Sequence, residues 1–206
     1  MKTKAHAAAA LTLMALLSGC MTDDETSESN SYTVKESVSA LNVKSNGGLI
    51  ELVGSDRTTV QVTEKFRYSG GKPATEHAVS GSTLSLKTEG CSSDSSPCEV
   101  SYRLEVPRKL AVTLASEGGD VQVTTLAGNL TVDTAGGDAD AAFSAAPDTA
   151  DVRTDGGDLS LRLPGGPYAV DADAEGGSEK VTVKTDPASA HKVTAKSGGG
   201  DVTIGS

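Results

Sequence analysis

Four aspartates stand immediately after paired glycines: Asp120, Asp138, Asp158 and Asp201, in SEGGD, TAGGD, TDGGD and SGGGD. Repeated carboxylates beside Gly-rich backbone are the chemistry of a cation site, and in a parallel stack of strands they would fall about 4.8 Å apart along one edge. Carboxylates so close repel unless a cation, turn amides or water relieves them. Two observations favour the turn. Calcium-binding glycine-rich repeats run in a tight Gly-Gly-x-Gly-x-Asp rhythm that is absent here, and the fourth unit reads Gly176-Gly177-Ser178, without the acid. The expectation is that glycine supplies positive φ at a corner, that aspartate bonds nearby amides, and that no metal or other cofactor is held. Asp120, Asp138, Asp158 and Asp201 remain the candidates should a metal bind.

The other reactive side chains do not assemble into a catalytic set. His77 and His191 lie more than a hundred positions apart, neither beside a Ser, Cys or metal-spaced partner, and read as surface imidazoles. Gly70-Gly71-Lys72-Pro73 lacks the spacing and the hydroxyl of a phosphate loop, and Pro73 removes an amide. Asp171 and Asp173 occupy alternate positions of a strand and share its solvent face. Asn129-Leu130-Thr131 matches a glycosylation acceptor, a three-residue pattern short enough to arise by accident. A carbohydrate-active β-solenoid enzyme is the rival from another class. It needs a pair of carboxylates and aromatic platforms, whereas the chain has 28 acids with none singled out, no Trp and 3% aromatic residues. No catalytic residue is expected.

The elements that would carry these residues are strands. From Tyr32 onward apolar residues alternate with polar ones in short runs bounded by Gly, Ser, Asn and Pro, and no helical period follows the first twenty residues. Gly-Gly begins at 118, 136, 156, 176 and 199, at intervals of 18, 20, 20 and 23 residues. A short alternating run follows each pair, and another lies midway, as at Leu130–Val132, Ala150–Val152, Tyr168–Val170 and Val193–Ala195. Gly47-Gly48, followed by Leu49-Ile50-Glu51-Leu52, reads as an earlier copy without the acid. A period near 20 with loose identity is the mark of a stacked array, in which each unit buries its apolar stripe against its neighbours. The fold expected is all-β, a repeat-built β-solenoid like a parallel β-helix; the alternative is an antiparallel meander or sandwich with Gly-Gly hairpins.

The Val106-Pro107 step into Leu110–Leu114, followed by SEGGDVQV, TAGGDADAAF, TDGGDLSL and SGGGDVTI, resembles the bacterial putative adhesin domain, an all-β repeat family of unknown function found in envelope proteins. The resemblance covers roughly residues 32–206, most securely 100–206. It implies adhesion and transfers no catalytic residue.

The N-terminus belongs to another class of signal. Lys2 and Lys4 precede an apolar run over residues 5–17, and Leu17-Ser18-Gly19-Cys20 ends it. Those four residues resemble the lipobox of bacterial lipoproteins. The resemblance implies cleavage before Cys20, diacylglyceryl attachment to its sulfur, and a chain held at the cell membrane on the extracytoplasmic face, with further acylation for stable anchoring. Cleavage removes Lys2 and Lys4 and makes the chain more acidic than its formal −10. So acidic a chain is a poor partner for nucleic acid. Outside the cytoplasm, Cys91 and Cys98 are expected to form a disulfide, stapling the loop of a β-hairpin. The organisation expected is a signal peptide (1–19), a lipid-anchored flexible linker (20–31) and an all-β domain (32–206), with a disulfide-bearing part at 32–115 and the repeats at 116–206. The function expected is non-enzymatic binding of an envelope or surface protein or glycan; the alternative is an accessory or sensor lipoprotein of an envelope-stress or transport system.

Overall fold

The computed structural model describes residues 25–91 and 97–206, and within them every regular element is a strand. The expectations for residues 1–24, the lipobox included, lie outside the described residues. The described residues open with β1 (Thr26–Val34), then β2 (Ala40–Ser45) and β3 (Ile50–Ser55) on either side of Gly47-Gly48. β4 (Val60–Tyr68), β5 (Ala74–Ser80), β6 (Thr83–Glu89) and β7 (Cys98–Pro107) follow. The repeats begin with β8 (Ala111–Ser116) and β9 (Val121–Leu126), β10 (Leu130–Thr134) and β11 (Ala139–Phe143), and β12 (Thr149–Thr154) and β13 (Leu159–Arg162). They continue with β14 (Pro167–Ala174) and β15 (Glu179–Val181), the two-residue β16 (Lys184–Thr185), and β17 (Lys192–Ser197) and β18 (Val202–Gly205).

In each repeat one strand enters the Gly-Gly corner from one sheet and the next leaves it in the other. Among the described residues this gives two nine-stranded sheets, ordered β1-β4-β7-β3-β9-β11-β13-β18-β15 and β16-β14-β17-β12-β10-β8-β2-β6-β5. Pairing is parallel throughout the repeats, and antiparallel only at β1–β4, β4–β7 and β5–β6, which close one end. The solenoid expectation holds, and the antiparallel alternative describes the capped end alone.

Alternation fixes which side chains are buried. Along the first sheet, Leu104, Leu52, Val123, Ala141, Leu161, Ile204 and Val181 stand in register, facing the row Leu41, Val112, Leu130, Ala150, Val193 and Val170 of the second. Burying one such Leu or Val stabilises by roughly 1.5–3 kcal/mol, so a core of small and branched residues suffices. Val170 and Val181, at the open end, are the partly exposed members of these rows.

The coils do not stack in chain order. β17 and β18 lie between β12–β13 and β14–β15, so the coil that comes last in sequence is interior and the one before it is terminal. The 23-residue interval before Gly199 spans the return path.

Three expectations are corrected. β1 begins at Thr26, inside the stretch read as linker, because a polar strand can occupy a sheet edge: Thr26–Val34 pair with β4, and Ser31 bonds Thr63 and Thr33 bonds Gln61 across the pair. Cys91 and Cys98 are bonded, with Cα atoms 6.0 Å apart, yet β6 and β7 belong to different sheets, so the bridge closes a sheet-to-sheet crossing and no hairpin. Positive φ is confined, among the described glycines, to Gly48, Gly70 and Gly81. The second glycine of each repeat is required by proximity instead. A Cβ at Gly119, Gly137, Gly157, Gly200 or Gly177 would collide with the carbonyl of the corresponding glycine one coil away.

Replacing Gly157 by Ala should therefore destabilise the fold by about 2–3 kcal/mol through steric overlap. Gly156→Ala, whose Cβ meets nothing closer than 3.7 Å, should change it by less than about 0.5 kcal/mol. Denaturant unfolding of the two variants measures the contrast. Replacing both Cys91 and Cys98 by Ser should lower stability by about 2–3 kcal/mol on loop entropy, read in the same way.

Candidate functional site

The Gly-Gly-Asp corners line one edge of the stack. Asp138 donates its amide to Oδ1 of Asp120 at 3.0 Å, Asp158 to Asp138 at 2.8 Å, Asp201 to Asp158 at 2.8 Å, and Ser178 to Asp201 at 2.7 Å. Each carboxylate thus receives the amide of the next coil. In space the order is 120, 138, 158, 201, 178, so the four acids are contiguous and Ser178 ends the row. As the terminal coil has no further amide to receive, it has no need of a carboxylate. Ser178, which counted against a ladder in the sequence, marks its end.

A second ladder runs beneath the first, and the sequence reading missed it. Ser116, Thr134, Thr154 and Ser197 sit in register, four residues before each Asp, with buried hydroxyls. Thr154 Oγ1 accepts the amide of Gly157 and donates to the carbonyl of Gly137, both at 3.0 Å. Ser197 repeats this with Gly200 and Gly157 at 2.8 Å, and Thr134 with Gly137 and Gly119 at 3.2 and 3.4 Å. The motif is therefore [Ser/Thr]-x-Gly-Gly-Asp, legible from the constant spacing. Ala174 takes the hydroxyl position in the terminal coil, so both ladder residues are missing from the same unit.

These bonds define what the corner does chemically. One oxygen of each Asp is committed to the backbone, and among the described residues no group of three or more His, Cys, Asp or Glu side chains is placed to hold a metal ion. Asp171 lies 3.0 Å from Lys196 on the exposed face, and Asp173 is exposed beside it. His191 places Nδ1 2.8 Å from the carbonyl of Pro147, and His77 stacks on Tyr32 with ring centroids 4.7 Å apart. Lys72, from the Gly70–Pro73 turn, pairs with Glu28 at 2.6 Å, and this bond, followed by that from Tyr68, holds the Glu28 carboxyl below its ordinary range. The structure brings neither histidine to a Cys or to the acid ladder.

The capped end holds one polar cluster that the sequence reading passed over. Glu64 is 3% exposed, at an inward position of β4 between Val62 and Phe66. It accepts from Tyr32 Oη at 3.2 Å and from Asn30 Nδ2 at 3.3 Å. Burial, with the Glu64 charge nearby, pushes the Tyr32 hydroxyl well above its ordinary range. Burial likewise pushes that of Tyr102, 3.0 Å from Thr88 Oγ1, up to about 12. Both phenols therefore stay protonated, as Tyr32 must be to donate to a carboxylate. An acid in the inward phase of an alternating run was the available signal.

The sequence matches the Toastrack DUF4097 family over residues 30–205. Among curated proteins, none matches. Similar solved structures include a putative cell adhesion protein of Clostridium sporogenes, at 15% identity and a TM-score of 0.65, covering 87% of this chain and 99% of that one. A putative adhesin of Parabacteroides distasonis is 12% identical, covers 88% of this chain and 98% of that one, and has a TM-score of 0.39.

The ladder bonds are tested by separating charge from acceptor. Asp158→Asn keeps Oδ1 and should leave stability within about 0.5 kcal/mol; Asp158→Ala should cost about 1–2 kcal/mol. Thr154→Val, which strands a buried amide and a buried carbonyl, should cost about 2–4 kcal/mol. The melting temperatures of wild type and Asp158→Asn should respond alike to millimolar Ca²⁺; a rise in the wild type alone would show a cation on the ladder.

Proposed function

The chain belongs to the Toastrack DUF4097 family, and from that premise we propose that it is a lipid-anchored, non-enzymatic binding module on the extracytoplasmic face of the cell membrane. The observation that carries this reading is how the repeated polar residues are used. Ser/Thr hydroxyls and Asp carboxylates of the corners are committed to holding coils together, and the exposed charges spread over two sheet faces as pairs such as Arg103–Glu51 and Arg153–Asp151. Exposed pairs of this kind add little stability, and their positions on a rigid face serve recognition instead. The fold it shares with the C. sporogenes protein, and that protein's own description as a putative cell adhesion protein, support the reading. So does the Leu17-Ser18-Gly19-Cys20 signal, which lies six residues before the start of β1 at Thr26.

This attachment gives the molecule a direction. Six residues span at most about 20 Å, so the capped end bearing β1 stays near the bilayer. The open end, eight strand spacings away in the first sheet, is the part of the body farthest from its anchor.

Growth with labelled palmitate should label the protein, and Cys20→Ala should abolish the label with the fold unchanged by circular dichroism. An unlabelled wild type would remove the anchor from the proposal. Crosslinking on intact cells should then capture surface proteins or glycans; capture of integral membrane proteins alone would favour a sensor.

A further inference from the structure

We propose that the free edge of β14, at the open end of the stack, is a docking site for an extended protein segment whose side chains alternate between apolar and basic. The inference rests on the reading of the chain as a binding module and names its surface and the partner's chemistry. Backbone accounting comes first. Ala169 donates its amide to the carbonyl of His191 at 2.9 Å and Glu175 donates to Ser197 at 3.0 Å, so the odd-numbered residues of β14 face β17. Even-numbered residues face the other way, as Tyr168 shows by accepting the amide of Asp186 at 2.8 Å. β16 pairs only with Pro167 and Tyr168. Beyond it, the amides and carbonyls of Val170, Ala172 and Ala174 point to an edge that no strand covers among the described residues. Such a row is a template for one more strand.

Side chains beside this edge define what the strand must carry. A cavity of about 610 Å³ opens there, lined by Val170 and Ala172 from one sheet and Val181 from the other. These residues are half-buried, whereas Val193, Ala195 and Ile204, one coil deeper, are at most 1% exposed. An added strand would cover them with apolar side chains on its inward face. On its outward face it would meet Asp171 and Asp173, with Glu175 next in the chain, against two lysines of β17: Lys196, already paired to Asp171, and Lys192, which lies across from Ala169 before the acidic run. Outward positions of the partner are therefore basic.

A second copy fits less well. Two β14 strands paired about a two-fold axis would oppose their aspartates, and like charges directly across a ladder repel. The edge strands at the capped end, β1 and β5, contain no Lys or Arg to offer in a head-to-tail contact. Ala174 and Ser178 also lack the hydroxyl and carboxylate that would extend the two corner ladders into another coil.

The test uses a fluorescein-labelled peptide of alternating valine and lysine, eight residues long, and its valine–glutamate counterpart, titrated with the full chain in detergent in an anisotropy assay. Saturable binding is expected for the lysine peptide alone. Ala172→Pro removes an edge amide without touching the β17 ladder, so it should weaken binding by about tenfold at unchanged melting temperature. Asp171→Lys with Asp173→Lys should transfer preference to the glutamate peptide, and serves as the reading should Ala172→Pro fail to fold. Absent binding, equal binding of both peptides, or binding indifferent to these variants would overturn the proposal. So would a dimer in sedimentation that Ala172→Pro dissolves, which would give the edge to a second copy. Capture of partners on cells can succeed while the peptide fails, so the two readings fall separately.

Discussion

Everything in this fold depends on how closely one corner can approach the next. The second glycine of each repeat sits where a Cβ would overlap the carbonyl one coil away, and its bare Cα lets the corners approach to the spacing at which both sheets pair in register. At this separation the Ser/Thr hydroxyl reaches the same carbonyl, and the aspartate reaches the next amide. Glycine, hydroxyl and acid are three parts of one joint. Corners are the places where a two-sheet stack would otherwise leave backbone groups unpaired, and an unpaired buried group is costly. The small core follows, because joints satisfied at every coil leave burial as one contributor among several.

Space order and chain order differ, and the joint explains the difference in composition between coils. The interior coil β17–β18 carries Ser197 and Asp201 and buries its apolar residues fully. The terminal coil β14–β15 carries Ala174 and Ser178 and leaves Val170 and Val181 partly exposed. A unit needs the complete set only where it has a neighbour to hold. Divergence of the fourth repeat is thus a record of position in space.

Much of this was legible in the residues. Period-two alternation located most strands, and the recurrence of Gly-Gly located the corners and predicted a stack. Parallel pairing was the first expectation, and the antiparallel alternative stayed open beside it because a Gly-Gly turn serves hairpins as well as corners. Two errors had a common cause. Thr26–Ser31 looked like linker because they lack apolar residues, yet a strand at a sheet edge needs only backbone partners. β6 and β7 looked like a hairpin because they are consecutive and flank a disulfide, while pairing depends on register across the whole sheet. Ser178 misled for a subtler reason: its meaning depended on an order of coils that sequence spacing does not encode. The hydroxyl ladder and Glu64, by contrast, were visible as a fixed offset before Asp and an acid in an inward phase, and asked only for closer counting.

The interleaved last coil bears on how this end of the molecule opens. β14 reaches the rest of its sheet only through β17, and β15 only through β18. The outer coil therefore has no inner neighbour until the segment that follows it in the chain has threaded between it and β12–β13. Growth by adding coils one after another stops at this step, and residues from Pro167 onward must settle as a single cooperative unit. The same coupling works in reverse: loosening β17 and β18 frees two coils at once, so the end that offers an open edge is also the end whose local stability is shared between two turns of chain.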